Sequence, residues 1–277
     1  MPGLLLFLLV VGVPFAFTNV LMFLRWNITD IYNPGMSFAG LDNFRFVFLE
    51  DPNFWDAIIR SLLFSGFVVP VEFLLGFIIA LALVRETAFF KVTRSVLLIP
   101  LLLAPVIVGS MWRVLYSPTF GPINYVLQLL GIPAQLWLSS PAQSLVSVAI
   151  EDIWEWTPFL ALISMAGLQA LPVEPFESAS VDGASYLEVL RHITLPMLRP
   201  YLLVGLLIRS MDAMKTYDLV IASTQGGPGF STILSSIHIS RTAFMMWHIG
   251  EAAAESYVFF MIVTILTVLL IRSMRMR

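Results

Sequence analysis

Six stretches of this chain are so long and so apolar that only a membrane or a very large core could cover them. They lie near Pro2–Leu24, Arg60–Val84, Ser95–Tyr116, Leu145–Leu171, Pro200–Ser223 and Ser256–Ile271. A helix rises about 1.5 Å per residue, so about 20 residues cross a hydrocarbon core of about 30 Å. Only 12% of the 277 residues are charged and 58% are hydrophobic, with a mean hydropathy of +0.89. A soluble domain carries about 25% charged residues. This chain has too little polar surface to coat itself against water, so its solvent is lipid. The expected fold is all-α: a polytopic membrane protein with six transmembrane helices, in one domain covering residues 1–277. The first stretch has no basic segment before it and no small-residue cleavage site. It reads as a transmembrane helix bent at Pro14, and not as a signal peptide.

Composition also excludes several chemistries. There is no cysteine, so disulfides, zinc–thiolate sites and cysteine nucleophiles are ruled out. The net charge of −3 gives no basic footprint for nucleic acid. His192, His238 and His248 are scattered too widely in sequence to suggest a metal site, and no phosphate-binding Gly-x-x-x-x-Gly-Lys loop occurs. No catalytic residue, metal or cofactor is therefore expected on this chain.

Orientation follows the lysines and arginines of the short loops. Arg85, Lys91, Arg94, Arg191, Arg199, Arg272, Arg275 and Arg277 fall on one side; the other carries Arg25, Arg45 and Arg241, with Arg60 at a helix end. The richer side is expected to be cytoplasmic, with both termini inside. Three longer loops then lie outside: Trp26–Ile59, Ser117–Ser144 and Thr224–Glu255. They hold turn-rich runs such as Tyr32-Asn33-Pro34-Gly35 and Gly226-Gly227-Pro228-Gly229.

The cytoplasmic segment at about 172–199 is unusual. Pro172 and Pro175 stand where helix starts tolerate proline. Glu174 and Glu177 follow, where the helix dipole favours acid. Gly183 then supplies a joint, and Tyr186, Leu187, Leu190 and Ile193 form an apolar stripe. Two short helices with a glycine joint are expected, with Pro196 and Pro200 marking where the next span begins.

The spacing in this segment resembles the "EAA" signature of ABC importer permeases. It is carried by Glu177, Ser178, Ala179, Asp182, Gly183, Ala184, Ile193, Leu195 and Pro196, with Ser178 standing where alanine is usual. Further elements are similar to the maltose-type carbohydrate importers: Gly40-Leu41-Asp42-Asn43-Phe44, Trp156-Thr157-Pro158-Phe159, Thr224-Gln225-Gly226-Gly227-Pro228 and Gly250-Glu251-Ala252-Ala253-Ala254. Arg60-Ser61 departs from the family, where asparagine and a hydroxyl residue are common. The resemblance implies the type I importer permease fold in a bacterial or archaeal cytoplasmic (inner) membrane. It implies coupling helices that dock on an ATP-hydrolysing subunit. It also implies four kinds of partner: a second homologous permease, two ATPase subunits that bind the ATP and magnesium, an extracytoplasmic solute-binding protein, and the bilayer.

Ionisable groups at membrane depth are functional candidates because burying them is costly. The fifth stretch holds Arg209, Asp212, Lys215 and Asp218 at a spacing of three, as a ladder in which neighbours could pair. The fourth holds Glu151, Asp152 and Glu155 interleaved with Trp154 and Trp156. Sugar hydroxyls need paired donors and acceptors, so Asp212, Lys215, Thr216, Asp218, Glu155 and Trp156 are the candidate substrate-path residues. The resemblance places family substrate contacts near Lys215 and Thr216. Glu72, Trp112 and Arg113 read as structural partners or cavity edges. The same fold could import a polyol, a glycerol phosphate or an acidic sugar. A different class, an intramembrane lipid-modifying transferase, would use the carboxylates as acid and base but leaves residues 177–196 unexplained.

Overall fold

The computed structural model describes residues 2–28, 35–84 and 88–275. Tyr32, Asn33 and Pro34 of the first turn, Arg85 and Arg277 lie outside the described residues, as do the side chains of Lys91 and Arg275. The described chain is helical apart from the short antiparallel pair Leu24–Arg25 and Ser37–Phe38 and one bridge between Asn27 and His248.

Four helices among the described residues are long and apolar enough to cross a membrane: Gly3–Leu21, Pro52–Leu83, Tyr186–Met214 and Ile249–Arg272. Pro141–Gln169 adds a fifth when taken with Glu174–Val181, which leaves it at a bend of 74°. The count of six spans therefore holds only approximately. The expected third span, Ser95–Tyr116, is divided into Ala88–Leu97, a 3-10 turn at Pro100–Leu102 and the shorter apolar helix Pro105–Leu115. The reason lies in its prolines. Ala104, just before Pro105, is forced out of the helical region and sits at φ −71°, ψ 140°.

The first span runs through Pro14 as one helix, with a π turn at Leu8–Gly12 just before it. Another proline expectation changes: Pro196 and Pro200 do not mark a boundary. A π turn at Leu190–Thr194 leads straight into Leu195–Met214, so the second helix of the cytoplasmic segment and the fifth span are one continuous rod. Wide turns of this kind accommodate a missing proline N–H without ending a helix.

Residue contacts fall into two compact units. The first comprises residues 1–62 and 233–269. Its core is Leu21, Met22, Val47, Phe54, Ile58, Ala253, Ala254 and Val258. Buried Asn43 donates from Nδ2 to the carbonyls of Met22 (3.0 Å) and Leu24 (2.9 Å), so one amide fixes the chain as it leaves the first span. Arg60 Nε donates to the Ile233 carbonyl (3.0 Å), and the Ser61 hydroxyl accepts from the Ser235 N–H (2.9 Å). The unusual Arg60-Ser61 pair thus has local structural partners.

The second unit comprises residues 63–232 and 270–277. Leu198 and Leu202 pack on Phe77, and Met165 packs on Ala80 and Leu83. Pro105–Leu115 lies against the short helix Asp218–Ser223 at Gly109, where a Cβ would stand 2.5 Å from the Leu219 carbonyl oxygen. Only glycine lets these two backbones approach so closely. Long runs of leucine, valine and phenylalanine remain exposed, among them Leu4–Leu9, Leu74, Leu75, Ile265 and Leu269. Their burial is left to lipid or to other chains.

Candidate functional site

Two places in the second unit carry the residues singled out in the sequence. The first is the segment after Pro141–Gln169. Glu174–Val181 begins with Pro175 in its first turn and carries Glu174 and Glu177 at its positive end. Ala179 is buried while Glu177, Ser178, Asp182 and Gly183 are exposed. The helix stops because Gly183 adopts φ +73°, which side chains with a Cβ resist. The Ala184 N–H bonds the Ala179 carbonyl (2.9 Å) and the Gly183 N–H bonds the Ser180 carbonyl (3.2 Å). This reciprocal pair is the Schellman motif.

The chain restarts at once. The Ser185 hydroxyl accepts from the Glu188 N–H (3.4 Å), while the Glu188 carboxylate accepts from the Ser185 N–H (2.8 Å). That capping box opens Tyr186–Val189. The two short helices present an apolar edge to the outside: Val181 is 88%, Tyr186 72% and Leu187 70% exposed. Ile193 is half-buried, and Leu195 and Pro196 are exposed at the start of the long rod.

The second place is a cavity of about 150 Å³. Glu155, Trp156, Asp212, Lys215, Thr216 and Asp218 all line it, together with Pro105, Asp152, Tyr217 and Leu219. The helix Leu195–Met214 ends beside it, Lys215 to Tyr217 are non-helical, and Asp218–Ser223 restarts. Unwound backbone at membrane depth is tolerated where it lines such a cavity.

This break also corrects the four-charge ladder. Arg209 and Asp212 do pair, at 3.4 Å. Beyond Lys215 the helical spacing is lost, and among the described residues Lys215 forms no ion pair; its side chain is exposed. Arg209 is held chiefly by another helix. Its Nε and Nη2 donate to Glu72 Oε2 (2.7 Å) and Oε1 (2.9 Å), and Nη2 also donates to Asp152. Arg209 and Glu72 are both 0% exposed, and the guanidinium lies 5.0 Å from the Trp156 ring centre. A planar fork with five donors suits this arrangement, because one lysine could not meet several carboxylates and a ring face together.

The acidic run of the fourth stretch is divided by its helix. Asp152, Glu155 and Trp156 face the cavity, whereas Trp154 packs edge-on against Trp112 at 5.9 Å. Glu151 is fully buried with no hydrogen-bond partner for either carboxylate oxygen.

Residues 51–276 match the family described as the binding-protein-dependent transport system inner membrane component. The chain belongs to this family. A probable ABC transporter permease of Sinorhizobium fredii is 36% identical over 94% of this chain and 83% of its own length. The trehalose/maltose transport system permease protein MalF of Thermococcus litoralis is 34% identical over 88% of this chain and 82% of its own. The crystal structure of a bacterial alginate ABC transporter with a pentasaccharide-bound periplasmic protein superposes with a TM-score of 0.85, covering 99% of this chain and 91% of that one. Its identity of 21% speaks for the fold alone.

Within this permease family member, sequence spacing grouped the cavity residues of each helix but missed one relationship. Glu72 read as a structural partner or cavity edge, but nothing local named Arg209 as the group it pairs with, 137 residues away. Glu155 lines the cavity as expected, while Glu151, one helical turn before it, does not.

Proposed function

We propose that this chain is a non-catalytic permease subunit that forms half of the translocation path of an ATP-driven importer for a sugar or related polyhydroxy solute. The observation that carries this reading is the pair of short helices at 174–189, hinged at a left-handed Gly183 and exposing Val181, Tyr186 and Leu187. An apolar edge on a rigid hinge suits insertion into a partner's cleft. Because Tyr186–Met214 is continuous, a push on that edge travels along the rod to the cavity. Hydrolysis belongs to two ATPase subunits, which bind the ATP and magnesium. A second homologous permease completes the path, and an extracytoplasmic binding protein delivers solute. The lysine and arginine bias supports a cytoplasmic place for the loop and both termini, and the bacterial and archaeal relatives support a cell of that kind. The sugar class is supported by the trehalose/maltose relative and by a cavity that sets carboxylates, a lysine and a threonine hydroxyl beside the Trp156 ring.

Two substitutions test the coupling. Glu177→Lys changes an exposed side chain and leaves stability within about 0.5 kcal/mol. Gly183→Pro demands φ near −65° where the hinge has +73°. Both are expected to abolish solute-stimulated ATP hydrolysis in reconstituted importer. Survival of full coupling in both variants overturns the assignment. In the cavity, Lys215→Ala removes an exposed charge with no ion-pair partner, so thermal stability is expected to hold. Uptake at low solute concentration is expected to fall roughly tenfold, the cost of one lost charge-assisted hydrogen bond. Identifying the ligand held by the cognate binding protein separates a neutral sugar from a polyol or an anionic solute.

A further inference from the structure

Away from the cavity and the loop, the first unit gathers three titratable side chains from distant points of the chain. Asp51 stands just before Pro52–Leu83, His238 lies in Ser235–Phe244, and Glu255 lies in the first turns of Ile249–Arg275. Asp51 and His238 are each 8% exposed and Glu255 is 0% exposed. The donor atoms of all three lie within 4.8 Å of one another. His238 Nε2 is 2.9 Å from Asp51 Oδ2 and 3.5 Å from Glu255 Oε1.

One Nε2–H cannot serve two carboxylates at once, and the second oxygen of Glu255 has no hydrogen-bond partner. A fully buried, unpartnered carboxylate oxygen is costly unless something positive meets it. The spacing suits a metal ion. Tetrahedral bonds of about 2.0–2.1 Å place ligand atoms about 3.3 Å apart, and the observed 2.9 and 3.5 Å bracket that value.

The surroundings orient these donors. Asp51 Oδ1 accepts from the N–H groups of Asn53 (2.9 Å) and Phe54 (3.2 Å), which caps the following helix and turns Oδ2 towards His238. The Thr242 hydroxyl donates to Glu255 Oε1 (3.2 Å), and the Phe54 ring lies 6.0 Å from the imidazole. Supports of this kind fix ligand geometry in metal sites.

We infer that Asp51, His238 and Glu255 form a structural site for a divalent transition-metal ion, with zinc as the matching probe, that staples the start of one span to the start of the last. An imidazole with carboxylates is a donor set that zinc accepts. Binding needs a neutral imidazole, so an ion and a proton compete for His238 Nε2.

The test uses the full chain purified from membranes with whatever subunits co-purify, supplied with zinc and then washed. Metal analysis is expected to find about one more zinc per chain in the wild type than in His238→Gln or Glu255→Gln, metal common to the other subunits cancelling in the comparison. Equal zinc in wild type and variants overturns the site. If a variant fails to assemble, the wild type alone decides. Added zinc should raise its melting temperature reversibly to chelator, and cobalt in place of zinc should show the visible bands of a tetrahedral ion. No thermal shift and no cobalt spectrum mean a histidine–carboxylate latch only, which likewise overturns the proposal.

Discussion

Arg209→Ala is expected to lower the stability of the chain by about 3–5 kcal/mol. The substitution leaves Glu72 fully buried without its cation, and removes the cationic partner of Asp152 as well. An uncompensated buried carboxylate, more than a lost contact, sets the size of the effect. A melting temperature lower by on the order of 10 °C follows for a chain of this size, read by intrinsic fluorescence in detergent. Arg209→Lys should recover less than half, because an ammonium cannot reach both oxygens of Glu72 while serving Asp152 and lying over Trp156. A control separates charge from packing. The triple variant Glu72→Leu, Asp152→Leu, Arg209→Met removes the buried charges of the network, leaving only the part-exposed Asp212 without its partner, and should be markedly more stable than Arg209→Ala, since well-packed apolar replacements of buried ion networks are often neutral. That variant is expected to keep its fold and lose uptake, because Asp152 no longer lines the cavity and Asp212 there loses its cationic partner. Equal instability of the triple and single variants would mean that the network's packing, and not its charge balance, supports this region.

Gly109→Val is the second large effect. The new Cβ would meet the Leu219 carbonyl oxygen at 2.5 Å and the Ala222 Cβ at 2.9 Å, and neither belongs to a flexible side-chain end. The helices Pro105–Leu115 and Asp218–Ser223 must separate, at a cost of about 1–3 kcal/mol for overpacking. The functional consequence should exceed the structural one. Pro105 and Leu219 both line the cavity, so spreading these helices moves one wall relative to Glu155 and Trp156. Uptake assays are expected to show affinity for solute falling by more than roughly tenfold, since a misplacement near 1 Å can cost about 100-fold. Gly109→Ala should give the same sign with a smaller amplitude. Unchanged uptake by Gly109→Val at normal expression would show that this helix contact does not shape the path.

Much of this protein was legible in its sequence. Uncharged runs such as Pro2–Leu24 leave a helix in lipid as the only way to satisfy the backbone, so membrane embedding followed from hydropathy alone. The loop at 177–196 was legible because its signals are local: an acid-rich helix start, a glycine where φ must be positive, and an apolar stripe within one turn of it. The sequence also grouped Asp212, Lys215, Thr216 and Asp218, which lie close along one segment.

Tertiary structure decided the rest. The prolines at 196 and 200 read as the entry to a span, but the helix runs on through them after a π turn, whereas the chain does break before Pro105, which opens a new helix. Composition cannot tell these outcomes apart, because the cost of a missing N–H depends on what packs nearby. The charge ladder failed for a related reason: three-residue spacing matters only while the helix lasts, and it stops at Met214. Above all, the sequence could list buried charges but not pair them. Glu72 with Arg209, and Asp51 with His238 and Glu255, are contacts across 137 to 204 residues. Local periodicity carries information over a few turns of helix, and only the folded chain brings such groups within hydrogen-bonding distance.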